Sequence, residues 1–314
     1  MFLLYLAGTA LRAGRTAPRA LPATDCGPGW AAGALARGLG SGAVPTILIT
    51  GAAGQIGTML RSRLARSGRV LRLLDIAPLE PPPGPGEEAV TASVTDLPAL
   101  RRACDGVDAI VHLGGIATEG PWTAILDVNI NGTYAVFEAA RLAGVPRVVF
   151  ASSNHAVGFS PRVSFPVPDY AYPAPDTYYG VSKAAGEALA ALYARKHGLD
   201  AVCVRILSCF DRPRDRRMLA TWLSPDDAGR LFEACLSAPA PGFRVIYGVS
   251  ANTRGGWVSL DEARTLGYEP LDDAEAYAAD FPAESDPAES DPGHDDPLLR
   301  YLGGQFTFPA FGQS

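Results

Sequence analysis

The chain has 314 residues, 47% of them hydrophobic, and a formal net charge of −6. That length admits one large or two ordinary domains with an ample core, and the acidic balance, with no basic cluster interleaved with aromatics, argues against a nucleic-acid surface. No uninterrupted apolar run reaches the length of a membrane span, and five scattered cysteines without a C-x-x-C pair point to neither a disulfide framework nor a zinc site.

Free thiols of this kind are expected in a reducing cytoplasm. Only Lys183 and Lys196 are lysines. A chain that elsewhere uses arginine for a cation makes each lysine worth examining.

Residues 1–44 are rich in Ala, Gly, Arg and Pro and show no sustained period. The arginines follow the apolar start instead of preceding it, which is not the order of a secretory signal, so the stretch is expected to be a disordered leader or to follow a misassigned start codon. Thr46 to Thr50 then reads as a strand feeding Gly51-x-x-Gly54-x-x-Gly57, and the stretch to Leu64 as a helix. A strand running into a glycine turn that opens a helix is the context in which such glycines bind a dinucleotide. Gly51 permits the tight turn, Gly54 lets backbone approach the pyrophosphate, and Gly57 lets helix and strand pack closely. Gln55 and Ile56, between the last two glycines, join the cofactor-binding set.

Val70 to Asp75 reads as a second strand ending in a carboxylate, at the distance from the glycines expected of the ribose-binding acid. An acid there accepts from the ribose hydroxyls and repels a 2′-phosphate, favouring NAD over NADP. A proline-rich loop over 78–86, a short strand over 90–94 and a helix over 96–104 follow. Asp108 to Leu113 is a buried strand, and Leu113, Gly114 and Gly115 are expected to pass beneath the cofactor. The repeated alternation implies right-handed βαβ units and an α/β fold: a Rossmann-type, doubly wound parallel sheet with a small C-terminal substrate-binding portion.

An amphipathic helix over 127–142 carries Asn129, and a strand over 147–152 ends in Ser152-Ser153-Asn154-His155 at the carboxyl edge of the sheet, where open α/β folds bind ligands. A proline- and aromatic-rich loop over 161–175 leads into a helix from Asp176 to about His197. A strand over 201–206, a basic loop over 211–217, a helix over 225–236 and a strand over 243–249 complete the pattern. The stretch from Asp280 to Pro297 repeats Ala-Glu-Ser-Asp-Pro and reads as a mobile acidic surface segment. The expected organisation is therefore a leader over 1–44, an NAD-binding domain with an integrated substrate region over 45–280, and an acidic segment with a C-terminal tail over 281–314.

Tyr179 and Lys183 are four apart, so a helix places them on one face. A phenol is a poor base at neutral pH, but a lysine ammonium about 4 Å away contributes a few kcal/mol at an effective dielectric near 20, enough to lower its pKa and let it take a proton from a substrate hydroxyl.

The glycine loop, the serine-ended strand and Tyr-x-x-x-Lys, in that order, resemble the extended branch of the short-chain dehydrogenase/reductase superfamily over residues 46–257. The strings His112-Leu113-Gly114-Gly115-Ile116, Ser152-Ser153-Asn154-His155, Tyr179-Gly180-Val181-Ser182-Lys183, Arg205-Ile206-Leu207-Ser208-Cys209 and Arg217-Met218-Leu219-Ala220-Thr221-Trp222 narrow the resemblance to the uronate dehydrogenase family. That family oxidises galacturonate or glucuronate at the anomeric carbon with NAD, giving an aldarolactone.

The resemblance implies Tyr179 as base, Lys183 as its partner and a ribose ligand, and Ser153 as the hydroxyl that aligns the substrate. It makes Asn129 a support of the proton relay. It also implies that Asn154, His155, Ser208 and Arg217 hold the sugar acid, and that the protein is a homo-oligomer. Arg217 suits a carboxylate because a guanidinium fork binds one bidentately, although Arg212, Arg214 and Arg216 are close neighbours. Two departures stand out: Ser93 where the family has an aspartate contacting adenine, and Ala117 where a substrate-contacting serine is expected. A nucleotide-sugar epimerase or dehydratase, or a non-catalytic dinucleotide sensor, would share parts of this pattern. The first needs a larger C-terminal region and the second usually lacks the Tyr-Lys pair.

Overall fold

The computed structural model describes residues 45–65, 68–281, 297–309 and 311–312. The expected leader over 1–44 and the acidic repeats within 282–296 lie outside the described residues. Seven strands form one sheet: β1 (Thr46–Thr50), β2 (Val70–Asp75), β3 (Glu87–Thr91), β4 (Ala109–His112), β5 (Arg147–Ser153), β6 (Asp200–Ile206) and β7 (Phe243–Gly248). Their order is β3-β2-β1-β4-β5-β6-β7, and every pair is parallel. The chain order reverses between β1 and β4, which opens a crevice at their carboxyl ends.

The alternation of side chains along each strand builds two apolar layers. Ile47 and Ile49 of β1 join one layer, under helices α1 (Gln55–Leu64) and α5 (Pro225–Ser237), through Leu60, Leu64, Leu231 and Phe232. Leu48 joins the other, under α2 (Leu97–Ala103), α3 (Gly132–Ala143) and α4 (Tyr178–His197), with Leu100, Val136, Phe137 and Tyr193. Covering both faces explains why the strands are near-continuous apolar runs. The helix starts are capped as their sequences suggest: Asp96, Thr177 and Ser224 each accept a hydrogen bond from a backbone N–H of the first turn.

Two elements differ from expectation. The third strand spans Glu87–Thr91, not 90–94: it stays in register with β2, Thr91 opposite Asp75, and Ala92, Ser93 and Val94 then leave the sheet to line the crevice. The single amphipathic helix expected over 127–142 begins instead as a π-helical turn, Ile125–Asn131, before α3. The wider turn adds a residue per revolution, and Asn129 is buried at 3% exposure.

Candidate active site

A cavity of about 1450 Å³ lies along the carboxyl ends of β1, β2, β4, β5 and β6. It exceeds the few hundred to about 1,000 Å³ usual for a small-molecule pocket, as a site for a dinucleotide plus a monosaccharide must. One end is floored by the glycine loop. Gly51 has φ +71°, and a Cβ there would meet the backbone of Gly114 at 2.7 Å, so the glycine is required both by the turn and by the chain after β4. A Cβ at Gly57 would overlap the Gly51 carbonyl, which is the close helix-to-strand packing expected of the third glycine. Gly54, Gln55, Ile56, Leu113, Gly114 and Gly115 all line the cavity with them.

Asp75 ends β2 at the cavity wall, where its Oδ2 accepts from Ala53 N–H at 2.9 Å and its Oδ1 from Ala77 N–H at 3.0 Å. The carboxylate thus pins the glycine loop from within. Gln55 donates from Nε2 to the Cys209 carbonyl at 2.7 Å, tying that loop to the chain after β6. Ser93 and Ala117, the two departures from the family pattern, both line the cavity. These parts fit NAD: the first-turn N–H groups of α1, whose start has no side-chain cap, for a pyrophosphate, and an acid opposed to a 2′-phosphate.

At the other end, β5 delivers Ser153 and Asn154, and the first turn of α4 delivers Tyr179, with Lys183 one turn on. Tyr179 N–H donates to Glu119 Oε2 at 2.9 Å, seating the helix start. The Tyr179 phenol is pushed up to about 12, first by burial, with the neighbouring Ser153 hydroxyl opposing and the Asp176 charge adding to the rise. Burial pushes Lys183 down to about 8. The phenol therefore lies above its ordinary value, contrary to the expectation that the ammonium lowers it: Lys183 Nζ stands 5.4 Å from the Tyr179 ring centre and donates to the Ala151 carbonyl at 2.8 Å, while desolvation acts on both groups. Among the described residues the bond to Ala151 is the ammonium's one hydrogen bond, so two of its three donors remain for a ligand.

Asn129 is fully engaged. Its Oδ1 accepts from Ile116 N–H at 2.7 Å, and its Nδ2 donates to the Ile116 carbonyl at 3.0 Å and to Ser182 Oγ at 3.1 Å. It bolts the loop after β4 to α4. Ser208 pairs with Thr221 through their hydroxyls at 3.0 Å, below the loop that carries Arg217. His112, at the end of β4, is held by Thr50 and Thr133 at 2.8 and 3.2 Å, and burial pushes it down to about 3, so it packs as a neutral ring.

Arg217 closes the substrate end. Its Nη2 donates to the Leu302 carbonyl, its Nε is buried with no hydrogen-bond partner, and its guanidinium carbon lies 5.6 Å from the Trp257 ring centre. Burial lowers its pKa from the ordinary value, opposed by Asp215 and Asp176. Among the described residues no carboxylate forms an ion pair with it.

The structure brings together Tyr179, Lys183, Ser153, Asn154, His155, Ser208 and Arg217 in one cavity wall, with Asn129 buried behind it. It adds groups that sequence reasoning did not find. The segment 297–309 returns to the site: Asn154 Nδ2 donates to the Leu302 carbonyl at 3.2 Å, Gly303 N–H to the Gly158 carbonyl at 2.8 Å, and Phe306 stacks on His155 with centroids 3.9 Å apart. Asp176, read as the start of the helix, has its Oδ2 in hydrogen-bond contact with His155 Nδ1 at 2.7 Å, with none of its side chain exposed. Its place three residues before Tyr179 was the one signal available.

Residues 47–224 match the model of the NAD dependent epimerase/dehydratase family. A uronate dehydrogenase of Agrobacterium fabrum is 46% identical over 270 residues, 85% of this chain and 99% of that protein. One of Pseudomonas putida is 45% identical over 261 residues, 83% and 95% of the two chains. Among solved structures, a mutant uronate dehydrogenase of Agrobacterium tumefaciens complexed with NAD superposes with a TM-score of 0.77 at 44% identity, covering 86% of this chain and 99% of that one. The chain belongs to the NAD dependent epimerase/dehydratase family, in the branch that holds the uronate dehydrogenases.

Proposed function

We propose that the protein is an NAD-dependent oxidoreductase that converts a hexuronic acid, D-galacturonate or D-glucuronate, to its aldarolactone by oxidation at C1. The observation that carries the substrate class is Arg217, a guanidinium in the cavity wall with a carbonyl for a partner and, among the described residues, no carboxylate in ion-pair contact. Burying a cation unpaired is costly. A uronate carboxylate is ionised at neutral pH and supplies the missing charge in a planar, bidentate form.

When bound, NAD supplies the acceptor for the hydride that leaves C1. Gly51, Gly54, Gln55, Ile56, Gly57, Asp75, Leu113, Gly114, Gly115 and Lys183 would hold it. Tyr179 takes the proton of the C1 hydroxyl, and Ser153, whose hydroxyl neighbours that phenol, donates to the same oxygen as negative charge develops there. Lys183 supplies the positive charge that makes phenolate formation affordable near neutrality. Asn129 acts at one remove, holding the loop and helix that carry these groups. Because the sugar reacts in its ring form, removal of the hydride from C1 and of the proton from its hydroxyl leaves a lactone carbonyl directly. Asn154, His155, Ser208 and Arg217 hold the sugar acid, and Arg217 fixes which end of it faces the cofactor.

The reading extends to a homo-oligomer in the cytoplasm. Family resemblance supports the first, and the unpaired, buried Cys104, Cys203, Cys209 and Cys235 support the second.

The test is NADH formation from NAD with each uronate, the matching neutral hexose and glucose 6-phosphate. Turnover of a uronate, with the neutral hexose at least about 100-fold poorer in kcat/KM, is the expected result, since removing a buried charge-assisted pair costs a few kcal/mol. Turnover of glucose 6-phosphate with neither uronate would overturn the substrate class. Tightly held, non-exchanging NAD with turnover of a nucleotide sugar would return the protein to the epimerase reading.

A further inference from the structure

His155 is gripped on its edge and its face. Asp176 Oδ2 lies 2.7 Å from Nδ1, Phe306 stacks on the ring at 3.9 Å between centroids, and the Tyr179 ring stands edge-on at 5.8 Å. The carboxylate is wholly buried and has been given its room by two glycines from distant parts of the chain: a Cβ at either Gly158 or Gly303 would overlap Oδ2. Its other oxygen, Oδ1, accepts from Thr177 Oγ1 at 3.1 Å. Neither oxygen is left to point elsewhere.

An ionised carboxylate only accepts hydrogen bonds, so the proton between these two groups resides on His155 Nδ1. A neutral imidazole protonated at Nδ1 has a lone pair at Nε2. Nε2 has no partner among the described residues, and His155 lines the cavity. We propose that Asp176 is a positioning residue that locks His155 in the Nδ1–H tautomer, making Nε2 an acceptor for a sugar hydroxyl. Ser153 Oγ accepts from His155 N–H at 3.2 Å, so the ring and the aligning hydroxyl are fixed by one short turn.

This deepens the uronate reading and rests on it for the identity of the ligand. The tautomer itself is independent of that reading. An oriented acceptor selects a substrate that presents a hydroxyl donor at that point, whereas the opposite tautomer would set N–H against O–H only through the sugar oxygen's lone pairs. The consequence is a contribution to KM and to discrimination between sugar epimers, since the group touches a non-reacting hydroxyl.

The chain has four histidines, few enough for their ring nitrogens to be assigned in ¹⁵N-labelled protein by comparison with a His155→Phe variant. The proposal expects the neutral His155 ring, observed at a pH where it carries a single proton, to show a protonated Nδ1 and an unprotonated Nε2, with or without substrate. In Asp176→Asn, Thr177 can keep the amide oxygen, turning the amide N–H₂ onto Nδ1. The expected result is the Nε2–H tautomer, with KM for the uronate raised roughly tenfold or more, kcat lowered less, and KM for NAD nearly unchanged. If Asp176 acts through His155, the substitution adds almost nothing in a His155→Phe background.

An Nε2–H tautomer in the wild-type protein would overturn the proposal even if Asp176→Asn failed to fold. So would an unchanged uronate KM in a folded Asp176→Asn protein, or full additivity of the two substitutions. Failure of the wild type to oxidise any uronate would instead strike the functional reading and leave the tautomer measurement standing.

Discussion

Burial moves Tyr179 and Lys183 in opposite directions, to about 12 and about 8, and both shifts favour the neutral forms. Below pH 12 the phenolate fraction of the free enzyme rises tenfold per pH unit, while above pH 8 Lys183 gives up the charge that helps it form. We therefore expect kcat/KM for the uronate to climb with pH up to about 8 and then to flatten; a level profile from about pH 6 to pH 8 would contradict the assignment. Tyr179→Phe should abolish turnover while NAD binding, followed by fluorescence, persists. A lysine whose folded pKa is depressed from 10.5 to about 8 makes the unfolded state the better proton binder between those values. Its destabilising effect is thus complete below pH 8 and fades as pH approaches 10.5. After subtracting about 1 kcal/mol for the lost bond to Ala151, Lys183→Met should be about 2 kcal/mol more stable than wild type at pH 7, with the gain shrinking above pH 8. Thermal melts across that range check the sign. Arg217→Met tests the other buried cation: uronate KM should rise roughly 100-fold with no loss of melting temperature, because among the described residues no carboxylate forms an ion pair with the buried charge removed.

At the scale of elements, the parts carrying a local signal were legible. β2 spans Val70–Asp75 as read, and α4 ends at His197 with Gly198 in the left-handed conformation after it. The strand-glycine-helix unit, the serine-ended strand and the Tyr-Lys face each depend on a few consecutive residues. What stayed hidden depends on contacts across long stretches of chain. Asn154 and Leu302 are 148 residues apart, and nothing in the short run Tyr301-Leu302-Gly303-Gly304 has the period of a helix or strand to announce that it reaches the site. The π-helical turn over 125–131 was hidden for another reason: its apolar positions satisfy a helical period, and the extra residue per turn shows only where Asn129 points. Gly303→Ala probes the returning segment. Its Cβ would overlap Asp176 Oδ2, so the segment must shift, and uronate KM should rise roughly tenfold with KM for NAD nearly unchanged. Equal losses for both ligands in steady-state kinetics would place the segment outside the substrate end.

For the molecule as a whole, the glycine loop, Asp75 and the Tyr-Lys helix meet along one edge of one sheet, so filling the crevice links β1, β2, β4 and β5. A ligand that binds only the folded state stabilises it by about 2.7 kcal/mol at a hundredfold excess over its dissociation constant. For a chain of this size that is a rise in melting temperature of roughly 5 °C or more. NAD should give it and NADP should not, since Asp75 opposes the added phosphate. The most direct test of the account follows the carbon itself. With D-galacturonate labelled with ¹³C at C1 and a stoichiometric amount of NAD, the label should move from the anomeric position to a lactone carbonyl, in step with NADH and before any open-chain acid forms. A label that stays anomeric, or that passes first to a free carboxylate, would contradict oxidation of the ring form at C1.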